Sequence, residues 1–124
     1  MVRALIVDDS KAMRSIVGRI VREIGFETFE AANGREGLTQ LLAHGEVELI
    51  LVDWNMPEMN GIEFLKAVRA QPGSSAFKIL MVTTASDLEH VNTALEAGAN
   101  EYLMKPFTKD AVVSKLQMLG ILEA

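Results

Sequence analysis

Short apolar runs alternate with segments of helical periodicity along the whole chain. The runs are typical of buried strands and predict β-strands near residues 4–7, 28–31, 49–53, 78–82 and 101–103. Between and after them, apolar residues recur at helical spacing. This spacing predicts a first helix that ends at Gly25 and later helices near residues 34–43, 62–70, 87–97 and 109–122. Strands that alternate with helices form βαβ units, so the sequence predicts an α/β fold with a five-stranded parallel sheet.

The size and composition predict one domain and exclude several classes of protein. The chain has 124 residues, 49% of them hydrophobic, a net charge of -5 and no cysteine. This length suits a single domain over residues 1–124 with no output domain. The lack of cysteine favours a reducing compartment, which predicts a cytoplasmic protein. The acidic balance argues against nucleic-acid binding, and no apolar run approaches the ~18 residues of a membrane span.

Reactive side chains stand where the predicted strands end. In an open, doubly wound sheet the carboxyl ends of parallel strands share one edge, and strand order 2-1-3-4-5 makes strands 1 and 3 neighbours where the winding reverses. Ligands bind at such a crevice. The residues that this topology brings to the edge are Asp8, Asp9, Asp53, Thr83 and Lys105.

The three carboxylates at this edge predict a cation site. Asp8, Asp9 and Asp53 would repel one another without compensation, and a hard divalent cation relieves that repulsion. Oxygen ligands with room for water suit Mg²⁺. A cation and a lysine beside an exposed aspartate make a phosphoryl-transfer site, so Asp53 is the predicted nucleophile, forming an aspartyl phosphate.

The motifs together resemble a response-regulator receiver domain, most closely the single-domain chemotaxis type. The resemblance covers essentially the whole chain and implies a flavodoxin-like (βα)5 fold. Each fragment is weak alone, but their order and placement are specific. The matching fragments are Val7-Asp8-Asp9-Ser10, residues 53–61 (Asp-Trp-Asn-Met-Pro-Glu-Met-Asn-Gly), Val82-Thr83, Ala97-Gly98-Ala99 with Tyr102, and Lys105-Pro106-Phe107.

The resemblance implies a role for each matching residue. Asp53 would be the phosphoacceptor, and Mg²⁺ would be held by Asp9, Asp53 and the main-chain carbonyl of Asn55, with Asp8 reaching it through water. Thr83 would hydrogen-bond a phosphoryl oxygen, and Lys105 would pair with the phosphoryl group. Tyr102 would change rotamer on activation, and the Lys105-Pro106 bond resembles the family's cis-proline. One departure is Thr84, where the family usually carries Ala or Gly; a branched residue there is expected to narrow access to Asp53.

The predicted function is a phosphorylation-activated signalling switch of a two-component system. Its donor would be a histidine kinase or a histidine phosphotransfer protein, and its output a changed affinity for a downstream protein. A flagellar motor switch is the first expected target, with a monomeric chain. The chain would not be an enzyme in the usual sense, although it would catalyse its own phosphotransfer and slow dephosphorylation.

Several alternatives stay open at this point. The chain could be a phosphorelay shuttle, a phosphate sink or an excised receiver of a larger regulator. A Mg²⁺-dependent phosphatase with an Asp nucleophile is remote, because Asn55, two residues after Asp53, cannot shuttle a proton. Asp8 and Asp9 could instead only cap the first helix. The two histidines, His44 and His90, lack metal-ligand spacing and receive no predicted role.

Overall fold

The computed structural model describes residues 3–44, 47–54, 56, 59–105 and 107–122. Within these residues, five parallel strands form one sheet in the order β2-β1-β3-β4-β5, as predicted. The flavodoxin-like fold is therefore confirmed. The strands are β1 Arg3–Val7, β2 Glu27–Ala31, β3 Leu49–Asp53, β4 Lys78–Thr84 and β5 Glu101–Lys105.

Five α-helices cover the two faces of the sheet in the part of the chain that the structure describes. They are α1 Lys11–Ile24, α2 Gly34–His44, α3 Gly61–Arg69, α4 Val91–Ala97 and α5 Lys109–Met118. Two 3₁₀ segments, Ser74–Ala76 and Ala85–His90, precede β4 and α4. None of the described helices is long and apolar enough to cross a membrane.

The sheet separates two apolar cores. One, here called the α3-side core, packs α2, α3 and α4 against residues such as Val52 and Met81. The other, the α1-side core, packs α1 and α5 against residues such as Leu51 and Val82. Successive side chains of a strand point to opposite faces, so neighbours along β3 and β4 enter different cores. β3 is buried along its whole length, as expected of a central parallel strand with helices on both faces.

The fourth helix is shorter than predicted. Residues 85–90, most of which were expected to be helical, form a 3₁₀ segment, and α4 starts only at Val91. The Thr84 hydroxyl lies 2.9 Å from Ser86 Oγ and donates to Asp87 Oδ2 at 3.0 Å. Short polar side chains that bond locally compete with regular α-helical geometry, which accounts for the tighter turn.

The fifth helix also ends before its predicted limit. α5 stops at Met118, although the apolar spacing extends to Leu122. Gly120 has φ +77°, a left-handed conformation that terminates helices at little cost for glycine. Ile121 N–H then donates to the Leu116 carbonyl at 3.0 Å and closes the end of the helix.

The apolar stripes of two helices are narrower than their sequences suggest. In α1, Val17 and Val21 are buried, whereas Ile16 is 52% exposed. In α2, Leu41 is buried and Leu42 is 77% exposed. Adjacent apolar residues point about 100° apart on a helix, so both cannot face the sheet fully.

Arg69 ties the end of α3 to the segments before β4 and β5. Its guanidinium donates to the carbonyls of Gly98 at 2.9 Å and Phe77 at 3.1 Å, to Asn100 Oδ1 at 2.8 Å, and to the Ser74 carbonyl. Burial lowers the pKa of Arg69 below its ordinary value, because the charged form is partly desolvated. This fork of hydrogen bonds ties together the backbone just before β4 and the backbone just before β5.

Candidate functional site

Asp8 and Asp53 lie side by side because β1 and β3 are neighbours in register. Val7 pairs with Val52, so the next residue of each strand path is a carboxylate at the same level. Both residues are nearly buried, with relative exposures of 4% for Asp8 and 8% for Asp53. Asp9 follows in the loop and is exposed. The prediction that strand order brings these residues to one edge is met by the geometry.

One oxygen of each of Asp8, Asp9 and Asp53 lies within 4.8 Å of the others. All of these donors are carboxylate oxygens, which hard cations prefer. Like charges so close repel unless they are compensated, so the cluster suits a divalent cation. Asn55, the predicted main-chain ligand, lies outside the described residues, as does Pro106.

Lys105 stands between two of the carboxylates. Its Nζ is 3.3 Å from Asp8 Oδ2 and 3.3 Å from Asp53 Oδ1, and its side chain is 18% exposed. Lys105 ends β5 and lies opposite Thr84 in the sheet, two strands away from Asp53. Lys105 thus offsets part of the negative charge of Asp8 and Asp53, and the carboxylate cluster as a whole still suits a divalent cation.

The backbone around Asp8 is held by its own loop and by α1. The Asp8 carboxylate accepts from Ser10 N–H at 2.8 Å, and Arg14 donates to the Asp8 carbonyl at 2.7 Å. Ser10, rather than either aspartate, caps α1, because its Oγ accepts from Met13 N–H at 3.2 Å. The interpretation of Asp8 and Asp9 as mere helix caps is therefore wrong.

Gly61 positions the Asp53 backbone from the other side. A Cβ at this residue would lie 2.8 Å from the Asp53 carbonyl oxygen, closer than real contacts allow, and 3.0 Å from Trp54 Cα, which is tighter than most. Gly61 N–H donates to the Trp54 carbonyl at 3.0 Å, and Trp54 N–H donates to the Val82 carbonyl at 2.9 Å. Trp54 is thus tied both to the start of α3 and to β4. In the sequence, Gly61 appears only as the last residue of the matching fragment 53–61, although its place before a helix with an Asn60 cap and Glu63 is a recognisable start signal.

Thr83 is 2% exposed and belongs to β4 rather than following it. Its Oγ1 donates to the Thr84 carbonyl at a long 3.4 Å. Met81, two residues earlier, packs in the α3-side core, so Thr83 faces that side as well. Asp53 and Lys105 point to the other face, because Leu51 and Leu103, two residues before them, pack in the α1-side core.

Tyr102 packs against the α3-side core and shares its face with Thr83. The Lys115 ammonium lies 4.3 Å from the centroid of the Tyr102 ring. Tyr102 N–H donates to Glu101 Oε1 at 3.1 Å, the oxygen that also pairs with Lys115 at 3.0 Å. The two residues predicted to form the switch therefore share one face of neighbouring strands.

The structure also gives the histidines contacts that sequence spacing did not reveal. His90 stacks on Trp54, with ring centroids 4.3 Å apart and an interplanar angle of 14°. His44 stacks on Phe29 at 3.8 Å. Both pairs join residues far apart in the chain, and no local signal predicts such pairing.

The sequence model of the response regulator receiver domain matches residues 4–117. The chain therefore belongs to the response regulator receiver family, as the resemblance of its motifs suggested. Such proteins are signalling switches rather than conventional enzymes.

Among curated relatives, the chain is 40% identical over 118 residues to the chemotaxis protein CheY1 of Helicobacter pylori strain J99, covering 94% of this chain and 95% of that protein. It is 41% identical over 116 residues to the chemotaxis protein CheY homolog of Campylobacter jejuni strain 81-176, covering 93% and 89%.

Solved structures share the fold at high similarity. The chemotaxis protein CheY4 of Vibrio cholerae superposes with a TM-score of 0.87 at 37% identity, covering 95% of this chain and 98% of that one. A response regulator/GGDEF domain protein superposes with a TM-score of 0.91 at 28% identity, covering 100% of this chain but 51% of that one. The same fold thus occurs alone and as half of a longer chain.

Proposed function

We propose that this chain is a phosphorylation-activated response regulator of a two-component system, with Asp53 as its phosphoacceptor. The observation that carries the proposal is the Lys105 ammonium held 3.3 Å from both Asp8 and Asp53 within a cluster of three carboxylates. A nearly buried carboxylate beside a lysine and a cation site is equipped to attack an incoming phosphoryl group.

The proposed phosphoryl transfer uses the Asp53 carboxylate as its nucleophile. A carboxylate oxygen of Asp53 attacks the phosphorus of a phosphohistidine on a partner protein. The new O–P bond forms as the P–N bond breaks, and the leaving imidazole takes up a proton from water. Bound Mg²⁺, held through Asp9 and Asp53 with Asp8 and Asn55, would screen charge on the phosphoryl oxygens. Lys105 is close enough to turn from the carboxylates to a phosphoryl oxygen.

Thr83 and Tyr102 form the proposed switch. The hydroxyl of Thr83 has a long local hydrogen bond that a phosphoryl oxygen would readily replace. Movement of Thr83 towards Asp53 would free space on the α3-side face, which the Tyr102 ring could enter. A two-state switch requires such a contact that differs between the states.

The relatives' names support the proposed pathway. Two relatives about 40% identical are called chemotaxis proteins, which favours chemotaxis with a histidine kinase as donor. We extend this to a flagellar motor switch or a similar motility protein as the target, with a monomeric chain in the cytoplasm. A single domain over residues 1–124 is part of the proposal. Phosphorelay and phosphate-sink roles, or a receiver that belongs to a larger regulator, are less favoured.

Phosphorylation of Asp53 is tested with acetyl phosphate and Mg²⁺. The wild-type chain should gain the mass of one phosphoryl group, and Asp53→Asn should gain none because an amide is not a nucleophile here. Intact-mass analysis in mild acid measures this directly. Asp110→Asn, which removes a carboxylate from the first turn of α5, serves as the matched control and should be phosphorylated normally. A full adduct on Asp53→Asn would overturn the phosphoacceptor assignment.

Mg²⁺ binding is tested through the single tryptophan, Trp54, which adjoins Asp53 in the chain. Titration with Mg²⁺ should change its fluorescence with a saturating curve. Asp9→Ala removes one of the clustered carboxylates and should weaken binding at least about tenfold. An unchanged curve in Asp9→Ala would exclude this residue as a ligand, and Asp110→Asn again controls for net charge.

A further inference from the structure

The Lys115 side chain meets Tyr102 at the edge of the sheet. Lys115 lies on α5, which covers the α1-side core, whereas the Tyr102 ring packs on the opposite face. The ammonium nevertheless lies 4.3 Å from the ring centroid, within the range of a cation–π contact. The lysine must therefore reach around β5, an edge strand, to touch the ring.

Glu101 anchors that lysine. Its Oε1 lies 3.0 Å from Lys115 Nζ and accepts the Tyr102 N–H at 3.1 Å. The side chains of the ion pair are only 21% and 20% exposed, so solvent screens the pair less than it would a surface ion pair. The ammonium is thus fixed relative to the backbone of the residue whose ring it contacts.

The sheet register separates this anchor from Thr83. Tyr102 lies opposite Met81, whereas Thr83 lies opposite Met104, two positions further along β5. At about 3.3 Å per residue, the two levels differ by roughly 7 Å. Glu101 holds Lys115 on the side of Tyr102 that lies away from Thr83, so a ring that moves towards Thr83 moves away from the ammonium.

We propose that Lys115 is a positioning residue that holds Tyr102 in the arrangement of the unphosphorylated chain. This inference rests on the proposed function, since it supposes that Tyr102 moves when Asp53 is modified. The Lys115 contact is then present in one state and lost in the other, so it opposes activation. A ligand or contact shifts a two-state equilibrium only through such a difference.

The test uses beryllofluoride with Mg²⁺ as the phosphoryl mimic. Tyr102 is the single tyrosine of the chain, so ¹³C labelling of tyrosine rings gives signals from this residue alone. Lys115→Met keeps most of the apolar stem and removes the charge. Lys109→Met removes a charge from the same helix, where the lysine pairs with Glu23 at 4.0 Å on the surface, and is the matched control.

In Lys115→Met, half-saturation should occur at a beryllofluoride concentration about threefold to tenfold lower than in the wild type, the range expected for losing a partly desolvated cation–π contact. The ring signals of the Mg²⁺-bound variant should already lie partway towards their beryllofluoride positions. Lys109→Met should match the wild type in both readouts. Unchanged signals and unchanged half-saturation in Lys115→Met would overturn the proposal.

A second variant is needed in case Lys115→Met folds poorly, because that substitution leaves Glu101 without its ammonium partner. Glu101→Gln combined with Lys115→Met removes both charges and should give the same shift in half-saturation. If it folds and binds beryllofluoride as the wild type does, Lys115 does not hold Tyr102. Failure of the wild-type chain to bind beryllofluoride would instead overturn the proposed function, and this inference with it.

Discussion

Asp53→Asn should stabilise the Mg²⁺-free chain. The substitution keeps the shape of the side chain and removes one charge from the carboxylate cluster. Asp53 loses an attraction to Lys105 across 3.3 Å, and repulsion from an Asp8 oxygen within 4.8 Å disappears. At an effective dielectric constant near 20, these terms are about 5 and at least about 3.5 kcal/mol.

The remaining terms decide the sign. Asp9 adds a second repulsion, weakened by solvent because this residue is exposed. The Coulomb terms therefore nearly cancel. What remains is the cost of desolvating the Asp53 carboxylate, whose side chain is only 11% exposed. An amide avoids most of that cost. We expect the free energy of unfolding to rise by about 1 kcal/mol in the absence of divalent cations.

Urea denaturation followed by far-UV circular dichroism measures the change. In buffer with a chelator, Asp53→Asn should unfold at a higher urea concentration than the wild type. Added Mg²⁺ should reverse the order, because it stabilises the chain that binds it more tightly. Asp110→Asn, which removes a carboxylate from the first turn of α5, should show neither the gain in chelator nor the reversal with Mg²⁺, and should lose about 0.3–1 kcal/mol under both conditions. If Asp53→Asn is also less stable than the wild type in chelator, repulsion and desolvation do not outweigh the Lys105 attraction.

Two further substitutions, each paired with a control on α1, test the frame around the site. Gly61→Ala should destabilise the fold by about 1–3 kcal/mol, because the added Cβ would meet the Asp53 carbonyl at 2.8 Å. Gly18→Ala, in the middle of α1, should instead raise the free energy of unfolding by about 0.5–1 kcal/mol. Its Cβ approaches closely only Arg22 Nη1, at 2.9 Å, the end of a flexible side chain. Arg69→Lys should lose about 3 kcal/mol, because an ammonium cannot reach the oxygens that the guanidinium fork joins. Arg19→Lys, on the exposed side of α1, should change little. Urea denaturation measures all four; a neutral Gly61→Ala or Arg69→Lys would contradict the respective contact.

The sequence predicted the sheet and the acidic cluster because both follow from local patterns and a general rule of topology. Asp8 and Asp53 follow apolar runs, and the parallel order places such strand ends together. The missed features depend on contacts between distant residues. His90 stacks on Trp54, and Lys115 reaches Tyr102 around a strand. The periodicity of the sequence predicts neither contact.

The errors in helix length have a similar origin. Hydrophobic periodicity shows which residues are apolar, but it does not show the competing hydrogen bonds that end a helix. In the segment before α4, Thr84 and Asp87 bond to each other, and residues 85–90 take the tighter 3₁₀ form. After α5, apolar spacing continues, although Gly120 has already turned the backbone. Side-chain hydrogen bonds and backbone reversals thus override a pattern that hydrophobicity alone would extend.

The alternation of β4 links the proposed chemistry to the proposed switch. Asp53 lies opposite Val82 and faces the α1-side core, whereas the next residue of β4, Thr83, faces the α3-side core. The acceptor and the switch therefore occupy different faces of the sheet, one peptide unit apart along β4. In the proposed switch, a pull on the Thr83 hydroxyl acts on the face of the sheet that Tyr102 shares. We therefore expect phosphorylation of Asp53 to change the face of the sheet on which Tyr102 lies, with Lys115 opposing that change.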